Sequence, residues 1–372
     1  MPTAATTGAP SSSASASTNP TALVPFTRAA AEHVEGFLDV SQQITASTQP
    51  IQPVDIPAYG FMRGIYLEVT ATGGSGTAVF KADAPFSAVQ DIAISDVNGA
   101  PIVGPLDGYS VYLINKYGGY RKLREPKLHP DYATSTTGGT FTFLLYIPIE
   151  VNLRDALGSL GNMNAASSYK LRASIAPSTS IYSTNPATMP TVRVRAWLDA
   201  WTQPTGTDLN GNPTATQPPA HGTTSYWSST TFNFSASGLQ SPLLPRVGNY
   251  IRDLIMVWRD TSGVRQSTTF PAPLSVNWDT RLLKELQPIV WRGDMASVFG
   301  YSAANDAAGG LDTGVFVYDF FHEFDGHAGA ELRDGWLPTI QSTRINLSGN
   351  FGSAGTLQVI TNDVSPAGEV FV

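Results

Sequence analysis

The sequence has no cysteine in 372 residues. Disulfides, thiolate metal sites and cysteine nucleophiles are therefore excluded, and stability must come from buried apolar surface or from association with other chains. Charge is scarce. Asp, Glu, Lys and Arg make up 14% of the residues, against about 25% in an ordinary soluble domain. Surfaces that neighbouring subunits cover have this character, because interface centres are depleted of charge. No block of Lys or Arg occurs, and the formal net charge is −7. This argues against packaging or reading nucleic acid, which needs a basic arm or stripe. Long apolar runs are missing too. The longest, Phe143-Leu-Leu-Tyr-Ile-Pro-Ile149, is far too short to span a bilayer. Residues 1–27 carry no charge and no sustained apolar stretch, so no secretory signal is legible and folding in a cytoplasm is expected.

What the sequence does have is Gly (34), Pro (27) and a hydrophobic content of 42%, the make-up of an all-β protein with many turns. Residues 1–22 are almost pure Ala, Ser, Thr, Pro and Gly and cannot by themselves offset the entropy of ordering. Over 24–38, Phe26, Ala29, Ala30, His33, Val34, Phe37 and Leu38 fall at rough helical spacing, with Thr27 placed as an N-cap. This predicts a short amphipathic helix or arm. From Tyr59 onward the pattern is strands and turns. Asp91–Asp96 alternates and runs into Asn98-Gly99, the strongest short hairpin signal because both residues tolerate positive φ. Thr140–Ile149 reads as a buried strand and Tyr169–Ile175 as an alternating one. Thr191–Trp201 alternates over its whole length, with Val192, Val194, Ala196, Leu198 and Ala200 on one face. Residues 202–231 break the pattern and read as a linker or long loop.

The two halves repeat one another. Arg63 opens Arg63-Gly-Ile-Tyr-Leu-Glu-Val69, and Ala84-Pro85-Phe86-Ser87 follows, with Asp91 beyond. Arg252 opens Arg252-Asp-Leu-Ile-Met-Val-Trp258, and Ala272-Pro273-Leu274-Ser275 follows, with Asp279 beyond. The arginines lie 189 positions apart (63 to 252) and the prolines 188 (85 to 273). A second echo runs from Thr140-Phe-Thr-Phe through Leu153-Arg-Asp155 to Tyr169-Lys-Leu-Arg. Its counterpart runs from Val315-Phe-Val-Tyr through Leu332-Arg-Asp334 to Thr343-Arg-Ile-Asn. This period is too long for a solenoid or propeller blade and points to two copies of one β-domain. Each copy has about eight strands, the number in a jelly roll. Chance likeness between β-rich stretches is the bland alternative.

Candidate chemistry is thin. The five histidines are His33, His129, His221, His322 and His327. Phe321-His322-Glu323-Phe324-Asp325-Gly326-His327 superficially resembles a zinc-protease helix, but that motif needs histidines four apart on one face. Here they are five apart, and the segment reads as a polar loop. Asp208-Leu-Asn210-Gly211-Asn212-Pro213 lacks the spacing and the bidentate Glu of a calcium loop. No Gly-x-Ser-x-Gly elbow occurs, and Gly73-Gly-Ser-Gly76 lacks the Lys of a phosphate loop. Glu323 and Asp325 form a carboxylate pair of the kind glycoside hydrolysis uses, yet an acidic solvated loop accounts for them. No metal and no cofactor is expected.

Asp91-Ile-Ala-Ile-Ser-Asp-Val-Asn-Gly-Ala-Pro-Ile102, running into Asp107-Gly-Tyr-Ser-Val-Tyr-Leu-Ile-Asn-Lys-Tyr117, resembles the first domain of double jelly-roll major capsid proteins. The likeness is to those of tectivirus-like, tailless icosahedral bacteriophages with an internal membrane. It covers most of the chain and rests on a pattern of strands. It implies two tandem eight-stranded jelly rolls with a short N-terminal arm or helix. It implies a homotrimer of pseudo-hexameric outline that tiles a shell assembled in the host cytoplasm, with minor capsid, penton and spike proteins as further partners. An internal lipid membrane would lie near the arm, with Phe26, Val34, Phe37 and Leu38 as inner-face contacts and Arg28 as the cation for headgroups. Glu32 and Glu35 make that segment net acidic, which disfavours attraction to anionic lipid. The expected organisation is an arm over 1–48, a first roll over 49–205, a linker over 206–231 and a second roll over 232–372. Two rival readings stand beside it. One is a phage receptor-binding, spike or carbohydrate-binding β-sandwich. The other is a jelly-roll hydrolase built on Glu323, Asp325 and His327.

Overall fold

Where the sequence alternates, strands form. The computed structural model describes residues 24–120, 123–152, 156–204, 223–245, 247–300, 310–321 and 335–365. In the first half the main strands are β1 (Glu32–Gln43), β2 (Gln49–Pro50), β3 (Phe61–Thr72), β4 (Val89–Ser95), β5 (Pro101–Leu106), β6 (Thr140–Pro148), β7 (Lys170–Ile175) and β8 (Thr191–Trp201). In the second half they are β9 (Ser225–Phe234), β10 (Gly238–Gln240), β11 (Tyr250–Asp260), β12 (Leu274–Trp278), β13 (Arg281–Leu286), β14 (Val315–Asp319), β15 (Ile345–Phe351) and β16 (Gly355–Val364). Short strand pieces extend the sheets at several edges.

The first half forms sheets of order β1-β8-β3-β6 and β2-β7-β4-β5. The second forms β9-β16-β11-β14 and β10-β15-β12-β13. Adding eight to each number of the first pair gives the second pair, so one jelly roll is built twice. The inward residues follow the alternation. Val192, Val194, Ala196, Leu198 and Ala200 of β8 are fully buried, as expected for one face of a half-covered sheet. The two rolls share a sheet. Val103 of β5 makes a parallel bridge to Trp227 of β9, and the main apolar cluster runs through both halves.

The arginine echo corresponds to a repeated β-bulge. Along β3 the register with β8 passes from Met62 to Gly64 and skips Arg63. Along β11 the register with β16 passes from Ile251 to Asp253 and skips Arg252. Each bulge turns its arginine into the protein, where it is at most 1% exposed. The Ala84–Pro85 and Ala272–Pro273 peptides are both cis, and Asp91 and Asp279 both have positive φ (54° and 53°). Asp91 sits within β4, whereas Asp279 follows β12.

Three expectations are corrected. The helical spacing over 24–38 yields only α1 (Phe26–Ala29), which starts after Pro25 with no side-chain cap; Thr27 lies inside it. From Glu32 the chain is β1, paired with β8 from Glu32↔Trp201 to Gln43↔Thr191, with a register shift between Gly36 and Leu38. That shift breaks the period of two and lets apolar residues mimic helical spacing, while pairing along a whole neighbouring strand outweighs weak helix propensity. In the Asn98-Gly99 turn only Gly99 has positive φ (87°), and the Asp96 carboxylate holds the turn by accepting from the Asn98 and Ala100 amides at 2.8 Å each. Strand β9 already begins at Ser225, inside the stretch read as linker. Residues 1–22, 206–222, Leu153-Arg-Asp155 and Leu332-Arg-Asp334 lie outside the described residues.

A helix joins the fifth and sixth strand of each roll. Helix α2 (Gly108–Tyr117) lies between β5 and β6, and α3 (Pro288–Phe299) lies between β13 and β14. The Asp107 carboxylate caps α2 by accepting from the Ser110 amide at 2.6 Å, the usual N-cap geometry.

Candidate functional site

Among the described residues, a dense polar construction fills the junction between the two rolls. Asp83 lies just before β4, in the β3–β4 loop. Its Oδ1 accepts from Arg265 Nε at 2.6 Å and its Oδ2 from Arg259 Nη2 at 2.9 Å. Arg265 also donates to the carbonyls of Gly310, Thr313 and Ala82 at 2.6, 2.9 and 3.0 Å, and its guanidinium lies 4.9 Å from the Tyr109 ring centre. Burial opposes ionisation of Asp83, but the two guanidiniums outweigh it and hold the carboxyl below its usual value. Nearby, Asp312 accepts from Lys116 Nζ and from the Tyr117 hydroxyl, both at 2.7 Å. Burial pushes the Tyr117 hydroxyl upward and Asp312 adds to it, so Tyr117 stays a donor.

Lower in the junction, Arg252 Nη1 donates to the Gly118 carbonyl at 2.7 Å. Its guanidinium lies 4.4 Å from the Phe321 ring centre and 5.1 Å from that of Tyr120, stacking that adds to burial energy. Gly119 makes room for this. It has φ +74°, and a side chain there would strike Phe321. All ten residues of α2 are buried, because the helix is wedged between its own β6 and the outer face of β9-β16-β11-β14. Asn115 Oδ1 accepts from the Tyr146 amide at 3.0 Å on one side. Ser110 Oγ accepts from Gln358 Nε2 at 3.0 Å on the other. This arrangement ties the two rolls together through charge-assisted bonds that need both partners.

The first roll's arginine is held differently. Arg63 Nε donates to Glu150 Oε2 at 2.9 Å, the Trp201 indole donates to Glu150 Oε1 at 2.6 Å, and the guanidinium lies 3.9 Å from the Trp201 ring centre. Burial pushes the Glu150 carboxyl up against the pull of Arg63. Glu32 reaches the same guanidinium at 2.9 Å.

The arm residues singled out in the sequence do not form one face. Phe26 is buried against Phe61, Ala156 and Trp201. Leu38 is buried in the main core and Phe37 packs partly on it. Arg28 is exposed, and Val34 is 54% exposed on the outside of β1. Val34 instead borders an open groove of about 580 Å³ on the outer face of β1-β8-β3-β6, with Tyr66, Thr70, Leu144, Arg195 and Trp197. His322, Glu323, Asp325, His327, His221 and Asp208–Pro213 lie outside the described residues. Among the described residues no three His, Asp or Glu side chains converge to hold a metal, and no helix is long and apolar enough to cross a membrane.

No family model and no curated protein matches the sequence. Solved structures do match. The STIV MCP superposes with a TM-score of 0.63 at 13% identity, covering 91% of this chain and 98% of that one. The PBCV-1 virus capsid protein gives 0.56 at 10% identity, covering 90% and 94%. The major capsid protein P2 from bacteriophage PM2 gives 0.52 at 8% identity, covering 90% and 97%. These likenesses run over nearly the full length of both partners. Together with the twice-built strand order, they establish that this chain has the double jelly-roll fold of those capsid proteins.

Proposed function

We propose that the protein is a structural, non-enzymatic major capsid protein of an icosahedral virus. In this reading three copies associate into a trimer that presents six similar rolls, and trimers tile the shell. The observation that carries the proposal is the succession of two rolls with the same strand order in one chain, joined across a shared sheet. Near-hexagonal packing of a shell needs six similar units, and a duplicated chain supplies them from three copies. The low charge content and the absence of a basic arm suit a coat that meets protein or membrane rather than genome. A bacteriophage source, a host-cytoplasm site of assembly, an internal membrane beneath the α1 end with Arg28 facing it, and contacts with penton and spike proteins belong to the same proposal. So does the division into an N-terminal segment, a first roll, a connecting stretch and a second roll.

The test is the native mass of the purified protein by light scattering, with negative-stain imaging of the same sample. A particle of three chain masses with a hexagonal outline is the expected result. A monomer at every salt and pH tried would sink the proposal. It would turn attention to glycan binding in the Tyr66–Trp197 groove.

A further inference from the structure

Ion pairs between lysine and a carboxylate are ordinary where water reaches them. Lys170 meets Asp55 at 3.0 Å in this way, with side chains 56% and 64% exposed. The pair of Lys116 and Asp312 is built differently. Lys116 stands in the last turn of α2 in the first roll, and Asp312 lies just before β14 in the second. Their side chains are 7% and 1% exposed, and Nζ lies 2.7 Å from Oδ2. A second carboxylate, Glu125, reaches the same Nζ at 3.2 Å. The Tyr117 hydroxyl donates to the other oxygen of Asp312 at 2.7 Å, and the Tyr112 hydroxyl donates to Glu125 Oε2 at 3.3 Å. The ring centres of Tyr117 and Tyr112 lie 5.5 and 6.0 Å from Nζ. On one side the group borders a cavity of about 610 Å³.

These are the parts that amide formation between an amine and a carboxyl needs. The amine must sit against the carboxyl carbon. A nitrogen hydrogen-bonded to Oδ2 at this length lies about 3.5 Å from Cγ, at the edge of the near-attack range. The amine must lose a proton, and Glu125 touches it as the acceptor. Negative charge must build on the carboxyl oxygen that stays, and Tyr117 already donates to Oδ1. Water must be scarce, and both reacting side chains are buried. A buried ion pair also carries a desolvation cost, which a neutral amide avoids.

We propose that Lys116 and Asp312 condense into an isopeptide bond, a covalent staple between the two rolls. The folded chain makes it by itself, once per molecule and without turnover. Nζ passes a proton to Glu125, and the freed lone pair attacks Asp312 Cγ. The bond from Cγ to Oδ2 then breaks. Oδ2 leaves as water with the two protons that Nζ has given up, one of them relayed by Glu125. An ammonium and a carboxylate thus become one neutral amide and one water, and Glu125 ends as it began. The balance needs no oxidant and no co-reactant. The link closes a long loop of chain, which restricts the unfolded state. Unlike the clasp of Asp83 by Arg259 and Arg265, it does not titrate.

Mass spectrometry of the full chain, denatured after purification in its folded form, tests this. The wild type should weigh one water less than its sequence. A digest should yield a branched peptide joining Lys116 to Asp312, while Lys170, in its exposed pair, stays free. Lys116→Arg should carry its full mass. Glu125→Gln keeps the size of the side chain and removes the proton acceptor, so the linked fraction should fall about tenfold or more. Asp312→Asn should link with loss of one ammonia in place of one water, a signature that no ion pair produces. A folded wild-type chain of full mass, or a water loss that maps to other residues, would overturn the proposal. Linkage in Glu125→Gln as complete as in wild type would overturn the part assigned to Glu125. Each outcome is independent of whether the chain assembles.

Discussion

Replacing Asp83 by Asn should weaken the junction more than any other single change of one atom type. The substitution keeps shape and removes charge. Arg265, whose side chain is 1% exposed, and Arg259, at 13%, would then face one another without their shared carboxylate. Breaking a buried pair by removing one partner costs about 3–5 kcal/mol. The carbonyls of Gly310, Thr313 and Ala82 still satisfy part of Arg265, so the lower end applies, about 3 kcal/mol. With an m-value of about 3 kcal/mol/M in urea, the midpoint should fall by about 1 M at neutral pH. The pH dependence follows from the lowered folded value of Asp83. Its contribution is complete above the unfolded value, about 3.9, and is lost as pH falls through the folded one. The gap between wild type and Asp83→Asn should therefore hold from pH 7 to about pH 4 and close below it. A midpoint change under about 0.3 M at pH 7, or a gap that persists under strongly acid conditions, would refute the claim that this charge cluster holds the rolls together.

Arg63→Met should cost about 3–5 kcal/mol by chemical denaturation, because Glu150 and Asp199 are buried at 5% and 0% exposure beside it. Arg63→Met combined with Glu150→Leu should recover at least half of that loss, and failure to recover would mean that the arginine acts through packing alone. Asp253 behaves in the opposite sense to Asp83. Burial raises its carboxyl well above the usual value, and Asp319 adds to the effect. Its contribution is therefore present at low pH and lost as pH rises through the folded value, so Asp253→Asn should stabilise the chain by about 1 kcal/mol or more at pH 8 and by less at pH 4. Equal effects at both values would show that Asp253 does not titrate in the fold.

The architecture was largely legible because the repeat carries its own internal check. The near-equal offsets of Arg63/Arg252 and Pro85/Pro273 gave the duplication, though not the bulges on which the arginines sit, and the alternation of Thr191–Trp201 gave both the strand and its inward face. What escaped has physical causes. Strand β1 was hidden by its register shift, which spaces Val34, Phe37 and Leu38 like a helix. Helix α2 is buried on every side, so it lacks the one-sided apolar stripe by which helices are recognised, although Asp107 marks its N-cap. Helix α3 carried readable signals, Pro288 in its first turn and Gly300 in a left-handed cap (φ 72°). The clasp of Asp83 by Arg259 and Arg265 joins residues 176 and 182 positions apart, and no local pattern announces a pairing at that distance.

The outer face of β1-β8-β3-β6 and its repeat on β9-β16-β11-β14 also differ in a way that follows from when each is covered. In the second roll the face is covered as the chain folds, by a neighbour present at an effectively unlimited concentration. Aliphatic residues are then safe, and Ile255, Val257, Val317 and Ile360 occupy it. In the first roll the same positions must stay soluble in a free chain, since a large bare aliphatic patch invites indiscriminate association. Tyr66, Glu68, Tyr146 and Trp197 stand there instead. Tyr146 spends its hydroxyl on Asp199 at 2.9 Å, and Glu68 is paired with Arg195. Aromatic rings with polar tips tolerate water and still present large rigid surfaces to a partner, which is why interfaces formed after folding favour them. The repeated face is thus a core in the second roll and an open, amphipathic surface in the first. The direction of that difference, aliphatic where cover is permanent and amphipathic where cover arrives later, is what the assembly reading requires of it.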